Sequence, residues 1–230
     1  NWASAQLNGA SYTINSGAAS SSTNFVSWSA FATYFNANGI TGASTVTVKT
    51  DDIANTAAIT LTQPTTNPTT STNTLTIVGG GFKLTSSFAN EVLGINGVDY
   101  LTINNLIIES SNTGSVQSCI RMYGGADYNT IKSCTLQMSG LTTGSTAGGA
   151  YFAFASTASS LTSTSTTHNG SYNTIDGCTM RTTTSCPGPT YAICDQQGTS
   201  FYTSTASNNT FSNNTIQNFY YMAIRNNYTN

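Results

Sequence analysis

Gly97-Val-Asp-Tyr100 and Gly125-Ala-Asp-Tyr128 place a carboxylate ahead of a tyrosine twice, 28 residues apart. On neighbouring strands, Asp99 and Asp127 would stand about 5 Å apart. Two carboxyls at that separation suit a retaining glycosidase, and the same oxygens suit Ca²⁺. Gly-x-Asp is also a turn in which Asp binds nearby backbone, and this is the expected role. Lys132 and Asp176 share a repeat position and predict a surface ion pair of little energetic weight. Arg121 and Arg225 are the cations a polysaccharide lyase would use, but the repeat spaces them two coils apart. His168 is the sole histidine, in Thr-His-Asn-Gly-Ser. One histidine among scattered carboxylates makes neither a zinc site nor a supported Ser-His-Asp triad. Tyr100, Tyr128 and Tyr172 predict a stack, either a platform for sugar rings or an aromatic ladder between coils. Asn169, Asn208, Asn213 and Asn227 head Asn-x-Ser/Thr sequons and are candidate glycosylation sites.

These positions come from a repeat. Tyr100–Glu109, Tyr128–Gln137, Tyr172–Arg181 and Asn208–Gln217 share the pattern [Tyr/Asn]-x-Thr-[Ile/Phe]-x-small-[Leu/Cys/Asn]-x-[Ile/Leu/Met]. Aligning the Thr gives positions 76, 102, 130, 174 and 210, with steps of 26, 28, 44 and 36. Coils of about 26 residues with insertions near Ser156–Thr167 and Thr199–Ser207 explain the steps. Side chains alternate until Asn105, Ser133, Gly177 or Asn213, where the parity shifts. That is one corner of a parallel β-helix, with a residue of positive φ at the corner. Ile103, Ile131, Ile175 and Phe211 should stack inside, as should Leu106, Cys134, Cys178 and Asn214. A second apolar strand precedes each repeat, as in Ser118–Met122, Tyr151–Ala155, Tyr191–Cys194 and Met222–Arg225. The last of these opens a coil that stays incomplete.

Trp28, Phe31, Ala32 and Phe35 fall on one helical face, with Ser27 as N-cap and Gly39 as C′ residue. An amphipathic helix ahead of a solenoid reads as a cap. The predicted organisation is an N-terminal strand and capping helix over residues 1–44. A right-handed parallel β-helix of about six coils then fills 45–230, all-β apart from the helix.

Only 6% of the 230 residues are charged, against roughly 25% in ordinary proteins. Ser, Thr, Asn and Gly must therefore cover the surface. Six Lys and Arg form no basic cluster, which argues against nucleic acid. No apolar run approaches the roughly 20 residues of a membrane-spanning helix. The residues call for no cofactor and no metal. Five cysteines suggest an oxidising compartment. Cys186 and Cys194 flank a Pro-Gly-Pro turn and are disulfide candidates. Cys134 and Cys178 either pair or form a reduced core row, and Cys119 is left over.

Gly9-Ala-Ser-Tyr-Thr-Ile14, Asn24–Phe31 with Asn38-Gly-Ile-Thr-Gly42, Thr45–Val48 and the Gly-x-Asp-Tyr coils together resemble secreted right-handed β-helix proteins of Bacteroidota, often exported by the type IX route. The resemblance covers almost the whole chain. It implies secretion to the cell surface, where the family serves as adhesins, surface repeats and sometimes carbohydrate-active enzymes. The family's C-terminal sorting domain does not follow the last coil here. The expected function is a non-catalytic module of a surface adhesin, sheath or filament. Its partners would be further copies, more β-helix or surface glycans. Trp28, Met222 and Ile224 are the candidates for self-association. The alternatives are a polysaccharide-degrading enzyme, with Asp99 and Asp127 as its first candidates, or a glycan-binding module.

Overall fold

The structure, a computed structural model, describes residues 6–113, 118–142, 149–154, 170–183, 186–196 and 207–227. Strands β1 (Leu7–Asn8), β2 (Ser11–Ile14) and β3 (Asn24–Phe25) precede helix α1 (Trp28–Asn38) and β4 (Ile40–Gly42). Six coils of three strands follow. The first is β5 (Ser44–Val48), β6 (Asp52–Asn55) and β7 (Ile59–Thr62). The second is β8 (Leu75–Val78), β9 (Lys83–Ser86) and β10 (Glu91–Asn96), and the third β11 (Leu101–Asn104), β12 (Ile107–Ser110) and β13 (Ser118–Tyr123). The fourth is β14 (Thr130–Lys132), β15 (Thr135–Met138) and β16 (Ala150–Phe154), and the fifth β17 (Thr174–Asp176), β18 (Thr179–Thr182) and β19 (Tyr191–Gln196). The sixth is β20 (Thr210–Ser212), β21 (Thr215–Ile216) and β22 (Met222–Asn227).

Each strand pairs in parallel with its equivalent in the next coil, so the three strands of every coil build three sheets. The fold is a parallel β-helix, in the right-handed sense that parallel crossovers adopt. Thr76, Thr102, Thr130, Thr174 and Thr210 are successive partners, in the register the repeat predicts. Val46, Ile77, Ile103, Ile131 and Ile175 are buried in one inward row that ends at half-buried Phe211. Stacked β-branched side chains suit this row because a parallel pleat repeats the same side-chain position in each coil. The corners turn at Asn105, Ser133, Gly177 and Asn213, with φ of 54°, 53°, 62° and 55°.

Two boundaries differ from expectation. Met222–Asn227 does not open an unfinished coil: it pairs with β19 and closes the sixth coil as its third strand. The division at residue 44 is not a seam, because β2 lies between β3 and β5 in the first sheet. The two insertions lie outside the described residues, apart from Ser207.

Helix α1 forms where Ser27 Oγ accepts from Ala30 N at 3.1 Å. It ends at Gly39, whose N–H donates to Phe35 O at φ 71°. A Cβ at Gly39 would collide with the carbonyls of Thr66 and Asn67. Trp28, Phe31, Ala32 and Phe35 are its buried face.

Candidate functional site

The turn ahead of the first sheet holds the first candidates. Asp99 Oδ1 accepts from Asp127 N at 2.7 Å, and Asp127 Oδ1 accepts from Ser171 N at 2.6 Å. Ser171 Oγ continues the series by accepting from Ser207 N at 3.0 Å. Each carboxylate is thus a brace between coils, and a serine does the same work one coil later. The runner-up catalytic pair is therefore a turn ladder. Beside it, Tyr100, Tyr128 and Tyr172 stack with centroids 5.0 and 4.9 Å apart and planes within 2° and 4°. The rings cover the faces they turn to one another, so the middle ring, Tyr128, offers only its edge and hydroxyl, and the stack is a ladder between coils. All three tyrosines take positive φ, 51° to 58°, a conformation that costs roughly 1–2 kcal/mol in a non-glycine residue. The stack compensates for it.

The second position of the later repeats carries a feature that sequence reasoning missed. Asn129, Asn173 and Asn209 point inward and tie consecutive coils through their amides. The signal was present as Tyr-Asn-Thr-Ile at 128 and 172 and Asn-Asn-Thr-Phe at 208.

The corner row behaves in the same way. Asn214 Nδ2 donates to Ile175 O and its Oδ1 accepts from Cys178 N, both at 2.8 Å. Cys178 Sγ lies 3.6 Å from Ile131 O and Cys134 Sγ 3.7 Å from Ile103 O. The thiols therefore take the donor role that the amide plays at Asn214. All five cysteines are unbridged and buried. The Cys134–Cys178 pairing is corrected to the reduced row. The hydrogen bond with Cys178, and then burial, push the Cys134 thiol up and keep it unreactive. The Cys186–Cys194 pairing also fails, because Cys186 packs in the main core and Cys194 in a separate cluster with Ala150, Ala153 and Tyr191.

Charged groups stand on the outer rows. Glu109 receives Lys83 Nζ at 2.8 Å, Ser139 Oγ at 2.7 Å and Gln137 Nε2. Burial pushes the Glu109 carboxyl up, but the bonds from Lys83, Ser139 and Gln137 outweigh it and hold it below its ordinary value. On the third sheet Glu91 is 2% exposed and Arg121 fully buried. They pair at 3.7 Å, and burial pushes the Glu91 carboxyl up. This buried pair escaped the sequence reading, although Glu91 and Arg121 are the only charged residues in their two apolar runs.

Among the described residues, Lys83–Glu109 and Arg121–Glu91 are the ion pairs, and Lys132–Asp176 is not one. Asp176 accepts instead from Ser212 Oγ at 2.7 Å and Asn213 Nδ2 at 2.8 Å. Those bonds lower its carboxyl, with Lys132 a lesser cause. Arg121 and Arg225 prove to be three strands apart, separated by Ala153 and Cys194. Arg225 sits 5.0 Å from the Tyr191 ring centroid. Among the described residues no group of three His, Cys, Asp or Glu could hold a metal, and no helix is long and apolar enough to cross a membrane.

Asn208 and Asn213 are exposed, but Asn213 holds Asp176 and both take positive φ. His168 and Asn169 lie outside the described residues, and Asn227 lies on β22.

The two ends of the solenoid differ most. At the first coil, Asn36 of α1 donates to Thr60 O and accepts from Thr62 N, both at 2.9 Å. One side chain thus imitates the strand that β7 lacks. Trp28 N donates to Asp52 Oδ2 at 2.9 Å, tying the helix start to β6. Trp28 itself is 0% exposed, which removes it as a self-association residue. At the sixth coil, β20, β21 and β22 are the last strands of their sheets. Phe219, Tyr220, Tyr221, Met222 and Ile224 are exposed there, Ile224 at 48%.

These features define a parallel β-helix braced by side-chain ladders, in which β20, β21 and β22 are the last strands of their sheets among the described residues. No family model, no curated protein and no solved structure matches the chain.

Proposed function

We propose that the chain is a non-catalytic structural module of an extracellular surface assembly, associating end to end through the face of its sixth coil. The observation that carries this reading is the contrast between the ends. Asn36 and the buried Trp28, Phe31 and Phe35 cover much of one end, where Val26 and Ile53 stay exposed, while five large apolar or aromatic side chains stand exposed at the other. An edge of paired strands over an apolar core is a surface that natural proteins normally cover. The low charge favours close approach, since few like charges face each other across a contact. The extracellular location rests on the hydroxyl- and amide-rich surface and on the resemblance to secreted β-helix proteins.

The enzyme reading loses its leading residues, because Asp99 and Asp127 brace backbone amides. The pair that replaces them, Glu91 and Arg121, is sealed from solvent. The glycan-binding reading loses the ring faces enclosed within the tyrosine stack.

Because the first coil is capped, copies of this chain meet open end to open end, a two-fold contact that closes at a dimer. Sedimentation equilibrium tests this. The wild type should shift from monomer to dimer as concentration rises, and Ile224→Lys should stay monomeric with an unchanged β spectrum. Wild-type protein that remains monomeric at every concentration overturns the reading.

A further inference from the structure

One row on the outer face of the second sheet is bonded in series. Thr85, Glu109, Gln137 and Arg181 are successive strand partners there. Lys83 reaches the same row from the second coil and places Nζ 2.8 Å from Glu109 Oε2. The Gln137 carboxamide donates from Nε2 to that same oxygen. Its other end is held as well, because Arg181 Nη2 donates to Gln137 Oε1 at 3.3 Å. A carboxylate only accepts and a guanidinium only donates, so the two charges fix which way the amide points. Ser139 Oγ donates to Glu109 Oε1 at 2.7 Å and holds the carboxylate in place. A surface ion pair alone requires none of this. An amine and the leaving nitrogen of an amide share one carboxylate oxygen, and a cation stands at the amide's carbonyl oxygen. These are the nucleophile, the proton carrier and the oxyanion partner of an acyl transfer. Gln137 is 6% exposed and Glu109 9%, which keeps water, the competing nucleophile, away from the carboxamide.

We propose that Lys83 and Gln137 join in an intramolecular isopeptide bond, with Glu109 and Arg181 as the catalytic residues. Glu109 takes a proton from the Lys83 ammonium, and the lone pair of the freed amine attacks Gln137 Cδ. The carbonyl electron pair moves onto Oε1, facing Arg181. As it returns, the Cδ–Nε2 bond breaks and Glu109 gives its proton to the departing nitrogen. Glu109 then carries the surplus proton of the new amide nitrogen to the ammonia, which leaves as ammonium. No oxidant, reductant or further reactant is consumed. The bonds that hold the Glu109 carboxyl below its ordinary value slow the first proton transfer. The fold keeps the reacting groups together, and departure of ammonia makes the single turnover irreversible. The bond ties β9 of the second coil to β15 of the fourth across β12, a covalent brace in a chain whose five cysteines are unbridged. It does not depend on how copies of the chain associate.

Mass spectrometry of the purified full chain tests this. After incubation in the folded state the wild type should weigh less than its sequence by one ammonia, and chain kept in denaturant should not. Trypsin does not cleave at an acylated lysine, so a reduced digest should contain residues 50–121 joined to residues 133–181, with the link at Lys83 and Gln137. Reduction removes any disulfide among Cys119, Cys134 and Cys178, which lie in the same two peptides. Lys83→Arg keeps a cation beside Glu109 and should retain the full sequence mass, as should Gln137→Met and Glu109→Gln. A folded wild type with the full sequence mass overturns the proposal, as does an ammonia loss that maps to an Asn-Gly pair instead. Hydrolysis of the Gln137 carboxamide in place of the link would show that water reaches it first, and also overturns it. A link that still forms in Glu109→Gln overturns the role of Glu109 as proton carrier.

Discussion

Asn214 stands in a row of apolar residues, after Leu106, Cys134 and Cys178, and an unpaired amide there would be a fault. Its two 2.8 Å bonds to the fifth coil remove the fault. The need for such bonds was legible from the repeat, whereas the thiols' matching role was not, because spacing alone does not separate a disulfide from a reduced row. Apolar members of the rows tolerate no polarity. Ile131 is fully buried between Ile103 and Ile175, so Ile131→Asp places an unpaired charge in a packed stack. The expected outcome is loss of the cooperative thermal transition, monitored by circular dichroism. An unchanged melting temperature would show the register to be wrong.

Glu109 supports a pH prediction. Its folded value lies below the ordinary glutamate value of about 4.3, so its stabilisation is complete above that pH and is lost as pH falls through the lowered value. Glu91 is raised and acts in the opposite sense, favouring the folded state when protonated. Glu109→Gln should lower the melting temperature at pH 7 and flatten its decline in acid. A decline as steep as that of the wild type would mean that another carboxylate governs it.

At the scale of elements, strand alternation and the corner residues made the first two strands of each coil legible. The helix was equally plain, since Trp28, Phe31, Ala32 and Phe35 recur at helical spacing. How the helix closes the first coil was hidden, because Asn36 lies off that apolar face and meets β7 only in the folded chain. Removing its amide leaves Thr60 O and Thr62 N of the edge strand without their partner. Asn36→Ala should cost about 1 kcal/mol of stability in urea unfolding, the order of a part-buried hydrogen bond lost. It should also speed amide exchange at Thr62. A variant with wild-type stability and exchange would show that solvent satisfies β7 equally well.

On the scale of the whole molecule, the sequence carries a solenoid and its direction but not the state of its ends. In sequence the sixth coil looks like any other, and only in space are β20, β21 and β22 the last strands of their sheets among the described residues. Met222 and Ile224 repeat Tyr191 and Ile193, which the sixth coil covers, and are themselves exposed. Trp28 was misassigned because a large aromatic near one end reads the same in sequence whether it faces the core or solvent.

The central claim, one closed end and one open, is tested most directly by hydrogen exchange with residue resolution in dilute and concentrated solution. The account predicts slow exchange at Thr62 in the first coil at both concentrations. The amides of Asn208, Asn209, Asn213 and Asn214 should exchange fast in the dilute monomer, and apolar covering of the end should slow the strands β20 to β22 on concentration. Sixth-coil amides as slow as those of the first coil in the dilute monomer, or strands whose exchange ignores concentration, would contradict it.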